Sequence, residues 1–427
     1  MPPLEDHPLR YGLSNELHAR PFPALRAPSR AVFLAVKQPV AAERRDRSKD
    51  RAHLIDLLDR YGAAHPQPDA THYSGTIGRY ELKWEQHTEF VTYTVFINGL
   101  SDRPFDPTDF EVFPEDWLQA APGNRVTSAL IRIETGKTPT DIQDSCEDWF
   151  VQESVAVSTV IDEAATIAGD FRIDAAGHSR FAVFVGADTG KRRVGRIVQR
   201  LCEIEIYKSM SMLGLSRVRD MGNRLNEIEQ SLTDLMEDMA QQSASAEVTL
   251  SQLLEVSAEL ENMAAQGSFR FGATGAYEAI VNQRIEVLRE VRFGGRQTFS
   301  EFMMRRYDPA MRTVKSAESR MNAMSARAIR AGELLRTRVD VERSAQNQEL
   351  LESMDRRADL QLRLQKTVEG LSVVAISYYA VSLAGYLLYP LASIMGLSKN
   401  MSLAGATVPV VLLVWWGIHR IRERIEK

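Results

Sequence analysis

No charged side chain interrupts residues 370–398, "GLSVVAISYYAVSLAGYLLYPLASIMGLS". In a chain with 26% charged residues, an uncharged run of 29 admits few folds, because about 20 apolar residues suffice to cross a bilayer as a helix. A second uncharged run, Met401–Ile418, follows Lys399. It carries Trp415 and Trp416 near its end, where an interfacial aromatic belt belongs. The pair predicts a transmembrane hairpin, with spans at about 371–390 and 401–418 and Pro390 closing the first. Arg356, Arg357, Arg363 and Lys366 precede it, and Arg420, Arg422, Arg424 and Lys427 follow, while the loop holds Lys399 alone. By the positive-inside rule both flanks face the cytoplasm. The competing reading is a buried hairpin in a soluble core.

Length allows two or three domains. A net charge of -5 leaves no excess of Lys and Arg for a general nucleic-acid binder. Cys146 and Cys202 stand far apart, without CxxC spacing, and give neither a zinc site nor a disulfide framework. The opening "MPPLEDHPLRYGLSNELHAR" has no apolar core of a signal peptide, so a cytoplasmic head is expected.

Residues 1–189 read as an α/β domain, within an overall α+β fold class. "RAVFLAV" (30–36), "YELKWE" (80–85), "EFVTYTVFI" (89–97), "VTSALIRIE" (126–134) and "RFAVFVG" (180–186) have strand composition. "AERRDRSKDRAHLIDLLDRYGAA" between the first two predicts a helix with Leu54, Leu57 and Leu58 on one face. Residues 190–369 read as a helical, coiled-coil stalk, and 370–427 as the membrane hairpin with a basic tail. Met221, Leu225, Ile228, Leu232, Leu235 and Met239, then Leu253, Val256, Leu260 and Met263, keep a heptad register around a polar break at 241–246. "GSFRFGATG" (267–275) predicts a connection between helices. From Met311 to Glu369 there is no proline and one glycine, a single helix of roughly 90 Å. Residues 220–261 hold ten acids and one base; residues 284–343 hold fourteen bases and eight acids. Helix pairing, side by side or across a subunit boundary, accounts for that asymmetry; the alternatives are a divalent cation gathered by Asp234, Glu237 and Asp238, or an acidic partner for the basic helix.

The chain contains no P-loop, HExxH, nucleophile elbow, dinucleotide fingerprint or kinase motif. One polar-aromatic cluster stands out, "KWEQHTEF". On a strand, Glu85, His87 and Glu89 would share one face and Trp84 and Phe90 the other. Two carboxylates flanking an imidazole suit a metal or a proton shuttle; the solvent side of a hairpin gives the same pattern. "NELHARPFPALRAP" concentrates Glu16, His18, Arg20 and Arg26 in a proline-bounded segment suited to docking. Tyr378, Ser382, Gly385, Tyr386 and Tyr389 fall on one side of the first apolar run, a stripe for a pore lining or for helix packing.

"NELHARPFPALRAPSRA" and "LKWEQHTEFVTYTVF", with the C-terminal hairpin, resemble an uncharacterised bacterial family of predicted membrane-anchored proteins, over the whole chain. That resemblance implies an inner-membrane location and no activity. The architecture is also similar to the CorA-type divalent-cation channels: an α/β head, an acidic helix pair, a long stalk helix and a basic-ended hairpin. This second resemblance implies a pentamer. The CorA Gly-Met-Asn triplet is replaced here by "YLLYPL" (386–391), and the loop has no acid.

The expectation is therefore a multi-pass homo-oligomer in the lipid bilayer, without cofactor or catalytic site, either a divergent ion channel or a membrane-tethered scaffold or sensor. An enzyme would rest on Glu85, His87 and Glu89 alone.

Overall fold

In "RAVFLAV" apolar side chains follow one another without alternation, as required of a strand covered on both faces. The computed structural model, which describes residues 4–16, 22–40, 44–241, 243–394 and 398–425, places this strand near the middle of a mixed sheet. Its members are β1 (Ser29–Lys37), β2 (His72–Ile77), β3 (Tyr80–Gln86), β4 (Val91–Asn98), β5 (Asn124–Thr135), β6 (Ala156–Val160), β7 (Ala165–Ile173), β8 (Ser179–Val185) and β9 (Val291–Arg292). The order is β2-β3-β4-β1-β5-β8-β7-β6-β9. The β5–β8 pairing is parallel, the others described antiparallel.

Helices α1 (Arg10–Glu16), α2 (Arg47–Arg60), α3 (Glu115–Gln119), α4 (Pro139–Trp149), α5 (Lys191–Gln241), α6 (Ala246–Glu286), α7 (Phe299–Arg306), α8 (Asp308–Ile394) and α9 (Lys399–Ile425), with a 3-10 helix at Pro107–Val112, complete the described elements. Side chains of β1 alternate between two cores. Val32, Leu34 and Val36 meet Leu54, Leu57 and Leu58 of α2, Trp117 of α3 and Ile142 of α4. Ala31, Phe33 and Ala35 belong to the core built with Val194, Ile197 and Leu201 of α5, Ile285 of α6, Phe302 of α7 and Met311 of α8. Each layer starts where a capping residue allows: Asp46 accepts from Ser48 N ahead of α2, and Thr138 and Thr298 form capping boxes ahead of α4 and α7.

The chain divides into two units, residues 1–243 with 251–332, and residues 244–250 with 333–427. In the first unit, residues after 189 supply the whole helical layer on one side of the sheet, so the sheet depends on α5, α6 and α7 for half its cover. The break between α5 and α6 falls at 241–246 as the sequence suggests. "GSFRFGATG" does not: it lies inside α6, where Phe271 and Thr274 are buried, and tertiary packing there outweighs the low helix propensity of glycine. Charge on the long helices is met between helices, Arg320 of α8 with Glu229 of α5 and Arg224 of α5 with Glu259 of α6.

In the second unit, α8 passes through Pro390 to Ile394 instead of ending at the proline. Stretches of α8 and α9, up to Leu388 and from Leu403 to Ile421, are long and apolar enough to cross a membrane.

Candidate functional site: a polar cavity against the sheet

Between β3 and β4 the register pairs Lys83 with Thr94 and Glu85 with Thr92. Odd-numbered residues of β3 point toward α5, while Leu82 and Trp84 enter the opposite core. Helix α5 presents Val198, Gln199, Cys202, Glu203, Ile206 and Tyr207 to this patch, an i, i+4, i+8 stripe and its neighbours. With Arg284 of α6, Phe33, Phe96, Phe22 and Pro23, these side chains line a cavity of about 220 Å³ that His87 also lines.

The cavity's charges are linked. Lys83 Nζ lies 3.2 Å from Glu85 Oε2 and donates to Gln199 Oε1 at 2.9 Å. Gln199 Nε2 donates to Glu203 Oε1 at 2.9 Å, and the Arg284 guanidinium donates to the same carboxylate. The His87 ring stacks on Phe90 with centroids 4.4 Å apart and meets Tyr207 edge-on. Two cations and two carboxylates compensate each other, so the cavity suits a small polar molecule with both donors and acceptors better than a bare ion. Burial, and then the nearby Glu203, push the Cys202 thiol well above its ordinary range, which disfavours the thiolate a nucleophile needs.

The expected Glu85–His87–Glu89 face does not form. Strand β3 ends at Gln86 and residues 87–90 make the turn into β4, so the two-residue alternation stops there. Trp84 and Phe90 consequently lie in different cores. Glu85 and His87 reach the cavity, whereas Glu89, with 2% exposure, turns to α6. There it accepts from both Arg270 terminal nitrogens and, at 2.8 Å, from the Tyr277 hydroxyl. Burial first and the Glu89 charge second raise the Tyr277 phenol. Burial lowers the Lys37 ammonium, and Glu89 partly offsets it. Among the described residues no three His, Cys, Asp or Glu converge as metal ligands.

Of the proline-bounded segment, His18 and Arg20 lie outside the described residues, as does the Glu16 side chain; Arg26 is exposed. Its later part packs on the chain's own helix. Leu25 N donates to Lys191 O at 3.1 Å, and a Cβ on Gly195 would overlap the Pro23 carbonyl oxygen. In α8, Gly385 faces Leu403 of α9, Ser382 is half-buried, and Tyr378 and Tyr386 are exposed; the Tyr389 side chain lies outside the described residues. The tyrosine stripe therefore divides, its glycine in the packing between the two helices and at least two tyrosines outside it. Gln199, Glu203 and Arg284 carry no local signal in the sequence, and Lys83 enters it only as the first residue of "KWEQHTEF". The only available signal was a lysine among apolar strand residues.

These features define a class: a three-layer α+β head with a partly open cavity lined by linked charges, on a chain that also carries two long apolar helices. The chain belongs to the family of proteins of unknown function DUF3422, which matches residues 5–425. No curated protein matches it.

Proposed function

We propose that this protein is a membrane-anchored homo-oligomer of CorA-like architecture, in which α8 and α9 cross the bilayer as a hairpin and the sheet domain stays in the cytoplasm. Exposed Leu371, Val374, Leu383, Leu387, Leu412 and Leu413 support the crossing, since soluble surfaces rarely carry so large an apolar patch. The basic flanks support the cytoplasmic orientation of both ends, and the heptad seam on α5 and α6, buried at Leu225, Ile228, Leu232, Leu253 and Leu260, supports a coiled-coil stalk.

One observation carries the oligomer. On one side of α8, Ser377 is buried and Gly385 meets Leu403, while Tyr378 and Tyr379 remain 70% and 72% exposed. A hydroxyl placed in hydrocarbon without a partner costs about 4–8 kcal/mol. Facing another subunit or a water-filled path removes that cost, and a ring of such subunits would conduct ions along the tyrosines. By the CorA resemblance the ring has five members. Native mass spectrometry of the detergent-purified chain tests the assembly. Ion flux into vesicles, compared between the native chain and Tyr378→Ala or Ser382→Ala, tests conduction; silent vesicles holding an intact oligomer would count against it.

A second reading, a tethered sensor or scaffold, is favoured by the 220 Å³ cavity, which sits in the head. Replacing the hairpin with an unrelated one should then leave function intact. In both readings we assign the head no catalysis.

A further inference from the structure

Helix α5 opens with "KRRVGRIVQR", five bases and no acid in ten residues. Basic side chains at a helix start oppose the helix dipole as well as one another, so something must hold them there. Arg193, Arg196 and Arg200, spaced i, i+3 and i+7, line a pocket of about 590 Å³ together with Arg289 from the turn that follows α6. Val287 and Ile161 supply apolar surface.

The partners of the three α5 arginines do not neutralise them. Arg200 donates to the Val287 carbonyl at 3.1 Å, a neutral acceptor, and Arg196 lies over the Phe22 ring. Arg289 pairs with the exposed Asp162, and Glu203, the acid nearest in effect to Arg200, is committed to Arg284. Glu286 also lines the pocket. Among the described residues no carboxylate makes an ion pair with Arg193, Arg196 or Arg200. Burial, and then Arg196, Arg284 and Arg289, hold the Arg200 guanidinium below its ordinary range, a sign of unrelieved like charge in a partly dry site.

We propose that this arginine pocket binds the phosphate of a phosphorylated small molecule, its apolar floor taking part of the remainder. Planar guanidiniums bind phosphate oxygens in pairs, and the pocket volume exceeds one phosphate. The inference is independent of whether the apolar helices conduct ions.

The test is calorimetric titration of the full chain, in neutral detergent, with pyrophosphate at fixed ionic strength. Saturable binding is expected, weakened about tenfold to a hundredfold by Arg196→Gln and by Arg200→Gln, and unchanged by Arg305→Gln on α7. Arg193 is exposed, so Arg193→Gln serves as the variant least able to disturb folding and should weaken binding as well. Glycerol 3-phosphate and a short-chain phosphatidic acid are then compared. Binding of either supports the site, and the tighter one names its source as soluble or lipid. Absence of saturable binding, or binding unaffected by Arg193→Gln and Arg196→Gln, overturns the proposal.

Discussion

Glu89→Leu should cost the head about 3–5 kcal/mol, and the cost should fall to about 1–2 kcal/mol when Arg270→Met accompanies it. The Glu89 carboxylate has 1% side-chain exposure and Arg270 15%. Removing one member of such a buried pair leaves the other charged in a poorly hydrated place, which costs about 3–5 kcal/mol. Arg270→Met alone strands Glu89 with the Tyr277 hydroxyl as a neutral donor and should cost a similar amount. With both replaced, no charge is stranded. What remains is the lost Tyr277 hydrogen bond, about 1–2 kcal/mol. The double variant should therefore be less destabilised than the sum of the singles by at least about 4 kcal/mol. The assay is equilibrium urea unfolding of the detergent-solubilised chain, followed by near-ultraviolet circular dichroism of the fully buried Trp84 and Trp117. Strict additivity, or a Glu89→Leu cost below 1 kcal/mol, would refute the view that this carboxylate is a structural clamp between the β3–β4 turn and α6. A ligand-binding Glu89 would instead give a folded, stable variant.

Gly195→Ala should push residues 22–25 off α5, because its Cβ overlaps backbone that cannot rotate away; faster proteolysis before Pro28 and a loss of about 1–3 kcal/mol are expected. His53, held between the Tyr93 hydroxyl and the Trp117 carbonyl, and His178 are both lowered below their usual range, chiefly by burial. The unfolded chain then binds more protons below about pH 6.5, so stability should fall as the pH drops from there toward the folded values, by up to about 1.4 kcal/mol per pH unit for each histidine. Glu290, raised by burial, acts in the opposite sense at lower pH, so comparison with His53→Gln isolates the histidine contribution; an identical pH slope in that variant would contradict it. Finally, burial pushes the Cys146 thiol up to about 12 and Cys202 higher still. Neither should react with iodoacetamide at pH 7.5 until urea is added, and rapid alkylation of the native chain would show the cavity to be open around Cys202.

Strand and helix identities in the head were readable where composition was one-sided. "RAVFLAV" and "EFVTYTVFI" became β1 and β4, and "AHLIDLLDR" became part of α2. Strands β6 and β7 and helix α4 were not anticipated, since "AVSTV" and "ATIAGDFRI" mix small, polar and apolar residues and owe their strand state to their neighbours in the sheet. The cavity was half legible. "KWEQHTEF" marked Glu85 and His87 by their density of polar groups, yet the same pattern drew in Glu89, because a turn after Gln86 leaves no trace in alternation.

The sequence by itself determined the two apolar helices. Their uncharged length follows from residue order alone, and backbone polar groups satisfied within a helix need no distant partner. Only the tertiary structure decided what the charged residues do. Glu89 finds Arg270 across 181 positions of chain, and Lys83 finds Gln199 across 116. The arginines of α5 share a pocket with Arg289 only because the turn after α6 comes back beside them. Apolar burial is written in local pattern, whereas a charge takes its role from whichever group the fold brings within hydrogen-bonding reach, and one strand of sequence cannot specify that distance.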